Sequence, residues 1–261
     1  MDLGLKGKVA LITGASNGLG RATAERLAEE GAAVALCARG SERLQAVAEG
    51  IRSRGGQVFD RPADVTRPAD LERFVGAALE RFGRIDILVN NAGTSAARSF
   101  ADVDDAAWLA DLELKLMAAI RCIRLCLPAM RRTGGGRIVN VLNTGAKAAR
   151  ARSVPTSVSR AGGLALTKAL SKELAAENIL VNAVCIGLVK SGQWERRWEG
   201  EGRPGTLDAF YARMAREHGV PVGRIAEASE LASLIASLVS EQARYITGVA
   251  INFDGGLLDV V

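Results

Sequence analysis

Three polar residues near the middle of the chain have the types and the spacing to form a reacting site. Thr156 and Arg160 are four residues apart in a segment with helical periodicity, so their side chains share one helix face. Asn143 follows the apolar strand that precedes this helix. An Asn amide binds oxygen atoms well, whereas a Thr hydroxyl stays un-ionised near neutral pH and an Arg, with a pKa above about 12, keeps its protons. The three residues suit the binding of an oxyanion better than its protonation.

A glycine-rich turn follows the first apolar strand, predicted over 9–13, and opens a helix predicted over 19–30. Glycines in this context permit a tight turn, and backbone N–H groups at the start of the helix can then reach a pyrophosphate. The strand, the glycine spacing and the helix all agree, so the sequence predicts a dinucleotide site. Its loop comprises Gly14, Ser16, Asn17, Gly18, Leu19 and Gly20.

The end of the second predicted strand indicates which dinucleotide is bound. A site for NAD places an acidic residue there to accept hydrogen bonds from the ribose hydroxyls. This chain has Ala38 followed by Arg39. Because a guanidinium binds a phosphate through charge-assisted hydrogen bonds, the sequence favours NADP over NAD.

Charge is distributed unevenly along the 261 residues, whose formal net charge is +5. Every charged residue from Leu114 to Lys172 is Lys or Arg. A nucleic-acid surface would not be confined in this way, and no aromatic stacking stripe accompanies the segment. We expect a small anionic molecule as substrate rather than a nucleic acid.

Short apolar strands alternate with helical segments along the whole chain. Strands are predicted over 9–13, 33–38, 58–62, 85–89, 137–142, 180–185 and 250–253, and the longest helices over 104–130 and 155–176. This pattern predicts an α/β fold, one doubly wound Rossmann-type domain over residues 1–261 with a seven-stranded parallel sheet and helices on both faces. The four scattered cysteines and the single His argue against a metal site. No apolar run could span a membrane and no signal peptide is present, so we expect a cytoplasmic protein.

The glycine loop, the run Asn90-Asn91-Ala92-Gly93 and the segment 159–168 together resemble the short-chain dehydrogenase/reductase family. That family uses an Asn, Ser, Tyr and Lys tetrad. By this resemblance the four positions are occupied here by Lys115, Asn143, Thr156 and Arg160, so all four are substituted. The resemblance also implies a homotetramer and a mobile substrate lid over 191–220, with Trp194, Trp198, Phe210 and Tyr211 as candidate walls or as packing of the lid itself. Further cofactor contacts are implied at Asp64, Val65, Asn91, Ala92, Gly93, Arg160, Val189 and Ser191. The resemblance also implies basic residues near the substrate, where an anionic group could be bound; with Arg196 and Arg197, which could join them, they are Lys115, Lys147, Arg150, Arg152 and Arg160.

Several functions are compatible with this sequence. One is NADP-dependent reduction of an activated C=C bond, in which Asn143, Thr156, Lys115 or Arg160 would stabilise an enolate oxygen. Ordinary ketone or alcohol redox chemistry is another, with Lys115 or water moving the proton, because desolvation and the Arg160 cation should lower the Lys115 pKa. The third is a catalytically silent NADP-binding subunit paired with an active relative. A lyase or dehalogenase is least favoured, since the similar halohydrin dehalogenases keep Ser and Tyr and lose the glycine loop.

Overall fold

Apolar strands form the centre of the molecule, described here by a computed structural model over residues 2–261. The strands are β1 Val9–Thr13, β2 Ala33–Ala38, β3 Val58–Pro62, β4 Ile87–Asn90, β5 Gly136–Asn143, β6 Ile179–Ile186 and β7 Ala250–Phe253. They form one parallel sheet in the order β3-β2-β1-β4-β5-β6-β7. The predicted seven-stranded parallel sheet is therefore confirmed.

Helices cover both faces of the sheet. They are α1 Gly18–Glu29, α2 Ser41–Ser53, α3 Pro68–Phe82, α4 Asp105–Leu112, α5 Ala118–Arg132, α6 Thr156–Glu173, α7 Gly192–Gly200, α8 Leu207–Glu217 and α9 Ala228–Leu238. Leu27 of α1 and Ile235 of α9 pack in one apolar core, and Phe74 of α3 and Ile123 of α5 pack in the core on the opposite face. All four cysteines are buried and free, which agrees with a packing role.

The helix predicted over 104–130 is interrupted. The α4 helix ends at Leu112, a π-helical turn spans Glu113–Met117, and α5 begins at Ala118. The π turn contains Lys115, which is only 4% exposed. Turns of π-helix are rare in proteins, and many of those that occur lie at functional sites. The interruption therefore indicates a functional role for Lys115 and its neighbours.

The polar stretch 191–220 contains two helices, α7 and α8. Phe210 and Tyr211 of α8 are buried in a small core of their own, against which Trp194 and Trp198 of α7 pack. The α7 and α8 helices thus form a subassembly above the carboxyl ends of the strands. None of the helices in the described part of the chain is long and apolar enough to cross a membrane.

Candidate active site

A cleft of about 890 Å³ lies where the order of the strands reverses, between the carboxyl ends of β1 and β4. Open α/β sheets bind ligands at this position. Asn91 fixes the two ends together, since its Nδ2 donates to the carbonyl oxygens of Thr13 at 3.0 Å and Gly14 at 3.2 Å. The cleft is lined by every residue predicted to bind the cofactor except Gly20, namely Gly14, Ser16, Asn17, Gly18, Leu19, Arg39, Asp64, Val65, Asn91, Ala92, Gly93, Arg160, Val189 and Ser191.

Gly20 lies behind the loop and does not line the cleft. A Cβ atom on Gly20 would lie 2.3 Å from the carbonyl oxygen of Gly14 and 2.6 Å from Asn91 Nδ2. The residue therefore allows α1 to pack against the loop, and does not itself face the cleft. Gly14 has a positive φ of 69°, which a side chain rarely adopts, so the turn between β1 and α1 requires glycine there.

Arg39 lies at the end of the cleft formed by β2 and the start of α2. Ser41 and Arg43, in the first turn of α2, line the same end. Two cations and the N-terminus of a helix converge here, an arrangement that favours a phosphate group. Arg43 was not predicted, although its place in the first turn of the helix that follows Arg39 could have indicated it. The other lining residues that it missed include Ser41, Glu42, Thr94, Ser95 and Gln193.

The opposite end of the cleft brings together Asn143, Thr156 and Arg160, all of which line it. Asn143 is the last residue of β5, and its Oδ1 is buried without a hydrogen-bond partner within residues 2–261. Arg160 Nη1 donates to the carbonyl oxygen of Val141 at 2.9 Å. Burial lowers the pKa of Arg160 to about 10, with the nearby Asp111 carboxylate opposing that shift. Arg160 therefore remains a cation at neutral pH.

Lys115 lies behind Thr156 rather than on the surface of the cleft. Its ammonium donates to Thr156 Oγ1 at 2.9 Å and forms a close ion pair with Asp111. Asp111 in turn accepts a hydrogen bond from Ser159 Oγ at 2.6 Å. Desolvation lowers the pKa of Lys115, the Arg160 cation adds to that effect, and Asp111 opposes it. The lowered pKa agrees with the sequence-based expectation, but Asp111 was not foreseen.

The Thr156 hydroxyl has one hydrogen that these contacts do not use. Its oxygen accepts from Lys115 Nζ and also from the backbone N–H of Ala96 at 2.9 Å. An ammonium and an amide N–H can only donate, so Thr156 is the acceptor in both bonds. Its own hydrogen is left for an acceptor in the cleft, such as the oxygen of a bound molecule.

Most of the basic residues expected around the substrate lie elsewhere. Lys147 Nζ donates to the carbonyl oxygen of Ala250 in β7 at 2.7 Å, so it is directed away from the cleft. Arg197 pairs with Glu201 at 3.0 Å on the outer side of α7. Arg150 and Arg152 are exposed and do not line the cleft either. Sequence spacing could not show this, because each side chain is directed by the turn or helix that carries it.

Arg196 is the remaining basic residue of that group, and it does line the cleft. Its Nη1 would lie 3.4 Å from a Cβ atom on Gly192, and the same Cβ would lie 2.3 Å from Asn17 Nδ2. The first turn of α7 therefore rests directly on the glycine loop. Trp194 also lines the cleft, whereas Phe210 and Tyr211 pack inside the α7–α8 subassembly.

Comparison with known proteins places this architecture in a family. Residues 8–202 match the short chain dehydrogenase family. The 3-oxoacyl-acyl-carrier-protein reductase FabG of Thermotoga maritima is 32% identical, over 97% of this chain and 99% of that protein.

Two solved structures are similar over nearly their whole length. L-Sorbose reductase from Gluconobacter frateurii, complexed with NADPH and L-sorbose, is 35% identical with a TM-score of 0.95, covering 100% of both chains. An NADPH-bound short chain oxidoreductase from Pseudomonas aeruginosa PAO1, described as containing an atypical catalytic center, is 38% identical with a TM-score of 0.92, covering 97% of this chain and 98% of that chain. The NADPH bound by both relatives agrees with the predicted preference for NADP. With its sheet, its glycine loop and these relatives, the chain belongs to the short-chain dehydrogenase/reductase family of oxidoreductases.

Proposed function

We propose that this protein is an NADP(H)-dependent oxidoreductase with a non-standard active site, in which Lys115, Asn143, Thr156 and Arg160 occupy the four positions of the family's tetrad. It reduces a C=O bond or an activated C=C bond. The observation that carries the proposal is the Thr156 hydroxyl, which lines the cleft with its hydrogen unused and is backed by a buried ammonium. The relative described as having an atypical catalytic center supports it.

The residues of the cleft fit NADP(H). The contact between Gly20 and the carbonyl of Gly14 leaves no room for a side chain, so α1 can present its first N–H groups to a diphosphate. Arg39 and Arg43 suit a 2′-phosphate at the other side of the loop. When bound, the reduced cofactor supplies a hydride to the substrate carbon.

The protein's own residues then act on the substrate oxygen. Thr156 donates its hydroxyl hydrogen, Asn143 Nδ2 provides a second donor from the end of β5, and Arg160 adds a positive charge that stabilises the developing oxyanion. Reduction of a C=O bond also requires a proton at that oxygen. In the reduction of a conjugated C=C bond the enolate oxygen needs only to be held, because the proton goes from water to the α-carbon. The reductase activities named for the relatives favour the carbonyl reaction.

The experiment that tests this function is NADPH oxidation by the purified protein against a panel of ketones, 3-oxoacyl thioesters, enones and enoyl thioesters. Oxidation of NADPH with either class supports the proposal and identifies the bond that is reduced. A protein that binds NADPH but oxidises it with no member of the panel, alone or with a co-purifying relative, would instead be a silent NADP-binding subunit.

Arg39 determines the preference for NADP in this proposal. Removing a charge-assisted contact with the 2′-phosphate costs about 1.5–3 kcal/mol, so Arg39→Ala should weaken NADPH binding by roughly tenfold to a hundredfold. NADH has no 2′-phosphate, and its Kd should change less than about threefold. Fluorescence titration of both cofactors measures the effect. Equal losses for the two cofactors, or none for either, would contradict this role of Arg39.

An anionic substrate remains part of the proposal, with Arg196 as its partner. Among the basic residues predicted for that role outside the tetrad positions, Arg196 is the one that lines the cleft. Arg196→Ala should raise KM for a carboxylate-bearing substrate by roughly twofold to fivefold and leave KM for a neutral analogue unchanged. Steady-state kinetics with the matched pair of substrates tests this. A weaker affinity for NADPH without a change in either KM would show that Arg196 serves the cofactor diphosphate instead.

The segment 191–220 acts in this proposal as a lid that opens for substrate entry, within a single domain over residues 1–261. Its contact with Asn17 through Gly192 supports coupling of the lid to the glycine loop.

A homotetramer also stays a prediction, supported by the exposed apolar residues Phe100, Leu109 and Tyr245. Light scattering would measure the oligomeric state. The cytoplasmic location expected from the sequence is a prediction as well.

A further inference from the structure

A buried ion pair lies directly beneath the proposed active site. The side chains of Lys115 and Asp111 are 0% and 2% exposed, respectively. Asp111 binds the Lys115 ammonium through one carboxylate oxygen and accepts from Ser159 Oγ through the other. Two charges are costly to remove from water, and replacement of such a pair by apolar residues is often neutral or stabilising. Packing alone therefore gives no reason for an ion pair at this place.

The geometry of the pair points to the cleft. Among the described residues, Lys115 Nζ donates to two side chains, Asp111 and Thr156. Both residues are buried, but Thr156 lines the cleft and Asp111 does not. The Thr156 hydroxyl is therefore the connection from the buried ammonium to a bound substrate.

We propose that Lys115 supplies the proton of the reduction through the Thr156 hydroxyl, and that Asp111 is the positioning residue that keeps Lys115 charged and directed at Thr156. This inference rests on the proposed function. An un-ionised Thr cannot supply the proton alone. The proton therefore comes from Lys115, held by Asp111, and neither of these side chains lines the cleft.

The atoms and charges balance for a ketone. Hydride from the reduced cofactor forms the new C–H bond, and the C=O π electrons move to the oxygen. The Thr156 hydroxyl proton moves to that oxygen, and a Lys115 proton moves to Thr156 Oγ1. The product is a neutral alcohol, and Lys115 is left as a neutral amine. Once the alcohol leaves, water in the cleft returns a proton to Lys115 by the same path in reverse.

The local charges favour this transfer. Two cations, Lys115 and Arg160, and one anion, Asp111, give the buried cluster a net positive charge. When Lys115 gives up its proton, the cluster becomes neutral, with Arg160 and Ser159 still stabilising the Asp111 carboxylate. Desolvation lowers the pKa of Lys115 in the same direction. The ammonium is thus held in place and yet able to lose a proton.

A pair of variants separates proton supply from structural support. Lys115→Met leaves the Asp111 carboxylate buried without its partner and should lower both Tm and kcat. The double variant Asp111→Asn, Lys115→Met removes both charges and should recover most of the Tm. Its kcat should remain lower by a factor of about 10² to 10⁴, the usual contribution of general acid–base catalysis. The Kd for NADPH should stay within about threefold in both variants.

The single variant Asp111→Asn provides an independent measurement through the pH dependence of kcat. The charged groups that face Lys115 are Asp111 on the adjoining α4 helix and Arg160 on α6. Only the ammonium can donate, so kcat should fall as the pH rises through the pKa of Lys115. Asp111 raises that pKa, and its removal should shift the fall in kcat to lower pH.

The outcomes are distinguishable. Recovery of kcat together with Tm in the double variant, or an unshifted pH profile in Asp111→Asn, would show that the pair only supports the fold while the proposed function stands. A wild-type protein that oxidises no NADPH with any member of the panel would overturn the proposed function and, with it, the proton supply. Low kcat with recovered Tm, together with the acid-shifted profile, supports the inference.

Discussion

Gly20→Ala is expected to weaken NADPH binding by about a hundredfold and to lower the free energy of unfolding by about 1–3 kcal/mol. The new Cβ would lie 2.3 Å from the carbonyl oxygen of Gly14 and 2.9 Å from its carbonyl carbon. Neither atom is the flexible end of a side chain, so α1 must move away from the loop. That movement displaces the N–H groups that the helix presents to the diphosphate, and each lost charge-assisted bond costs about 1.5–3 kcal/mol.

Gly76→Ala is the matched control for this prediction. Gly76 lies inside α3, and a Cβ atom there would meet nothing within 4 Å. Alanine in a helix interior is favoured over glycine by roughly 0.5–1 kcal/mol, so this variant should be slightly more stable and should bind NADPH normally. Urea denaturation and fluorescence titration compare the two variants. If Gly20→Ala behaved like Gly76→Ala, the close packing of α1 on the loop would be wrong.

Most of the sheet could be predicted because its strands are short and almost continuously apolar. The run Ala33–Ala38 is buried at every position, and parallel strands covered on both faces have this composition. The π turn could not be predicted in the same way. A periodicity of 3.6 residues over 104–130 is hardly changed by one additional residue in a turn, so α4 and α5 read as one helix.

The residues of the candidate site could likewise be predicted only in part. The glycine loop and Arg39 could be found because backbone geometry and one fixed position after a strand define them. The spacing of four residues between Asp111 and Lys115 could have indicated their pairing, but the approach of Ser159 from α6 to the Asp111 carboxylate could not be predicted. Lys147 was misplaced because a short 3₁₀ turn, Thr144–Ala146, precedes it and its side chain runs to β7. Contacts between elements distant in sequence leave no local pattern.

Thr156→Val should lower kcat for ketone reduction by a factor of about 10² to 10⁴, since it removes the hydroxyl while nearly preserving the shape of the side chain. The N–H of Ala96 loses its acceptor, and the ammonium of Lys115 loses one of its two acceptors. Leaving buried donors unsatisfied should also lower the free energy of unfolding by about 1–3 kcal/mol. Thr156→Ser keeps the hydroxyl and should retain most of the activity. Steady-state kinetics, with NADPH affinity as the control for folding, compares the two variants.

The size of the loss in Thr156→Val also distinguishes the two reactions. A ketone needs both a hydrogen bond and a proton from the Thr156 side, so it loses the full factor. A conjugated C=C substrate takes its proton from water at the α-carbon and needs only a hydrogen bond at its enolate oxygen. Asn143 and Arg160 at the same end of the cleft still stabilise the charge on that oxygen. Its loss should therefore be about tenfold, equivalent to roughly 1.4 kcal/mol. Equal, small losses for both substrate classes would place the proton donor elsewhere, because a reduction that takes its proton through Thr156 cannot tolerate the loss of that hydroxyl.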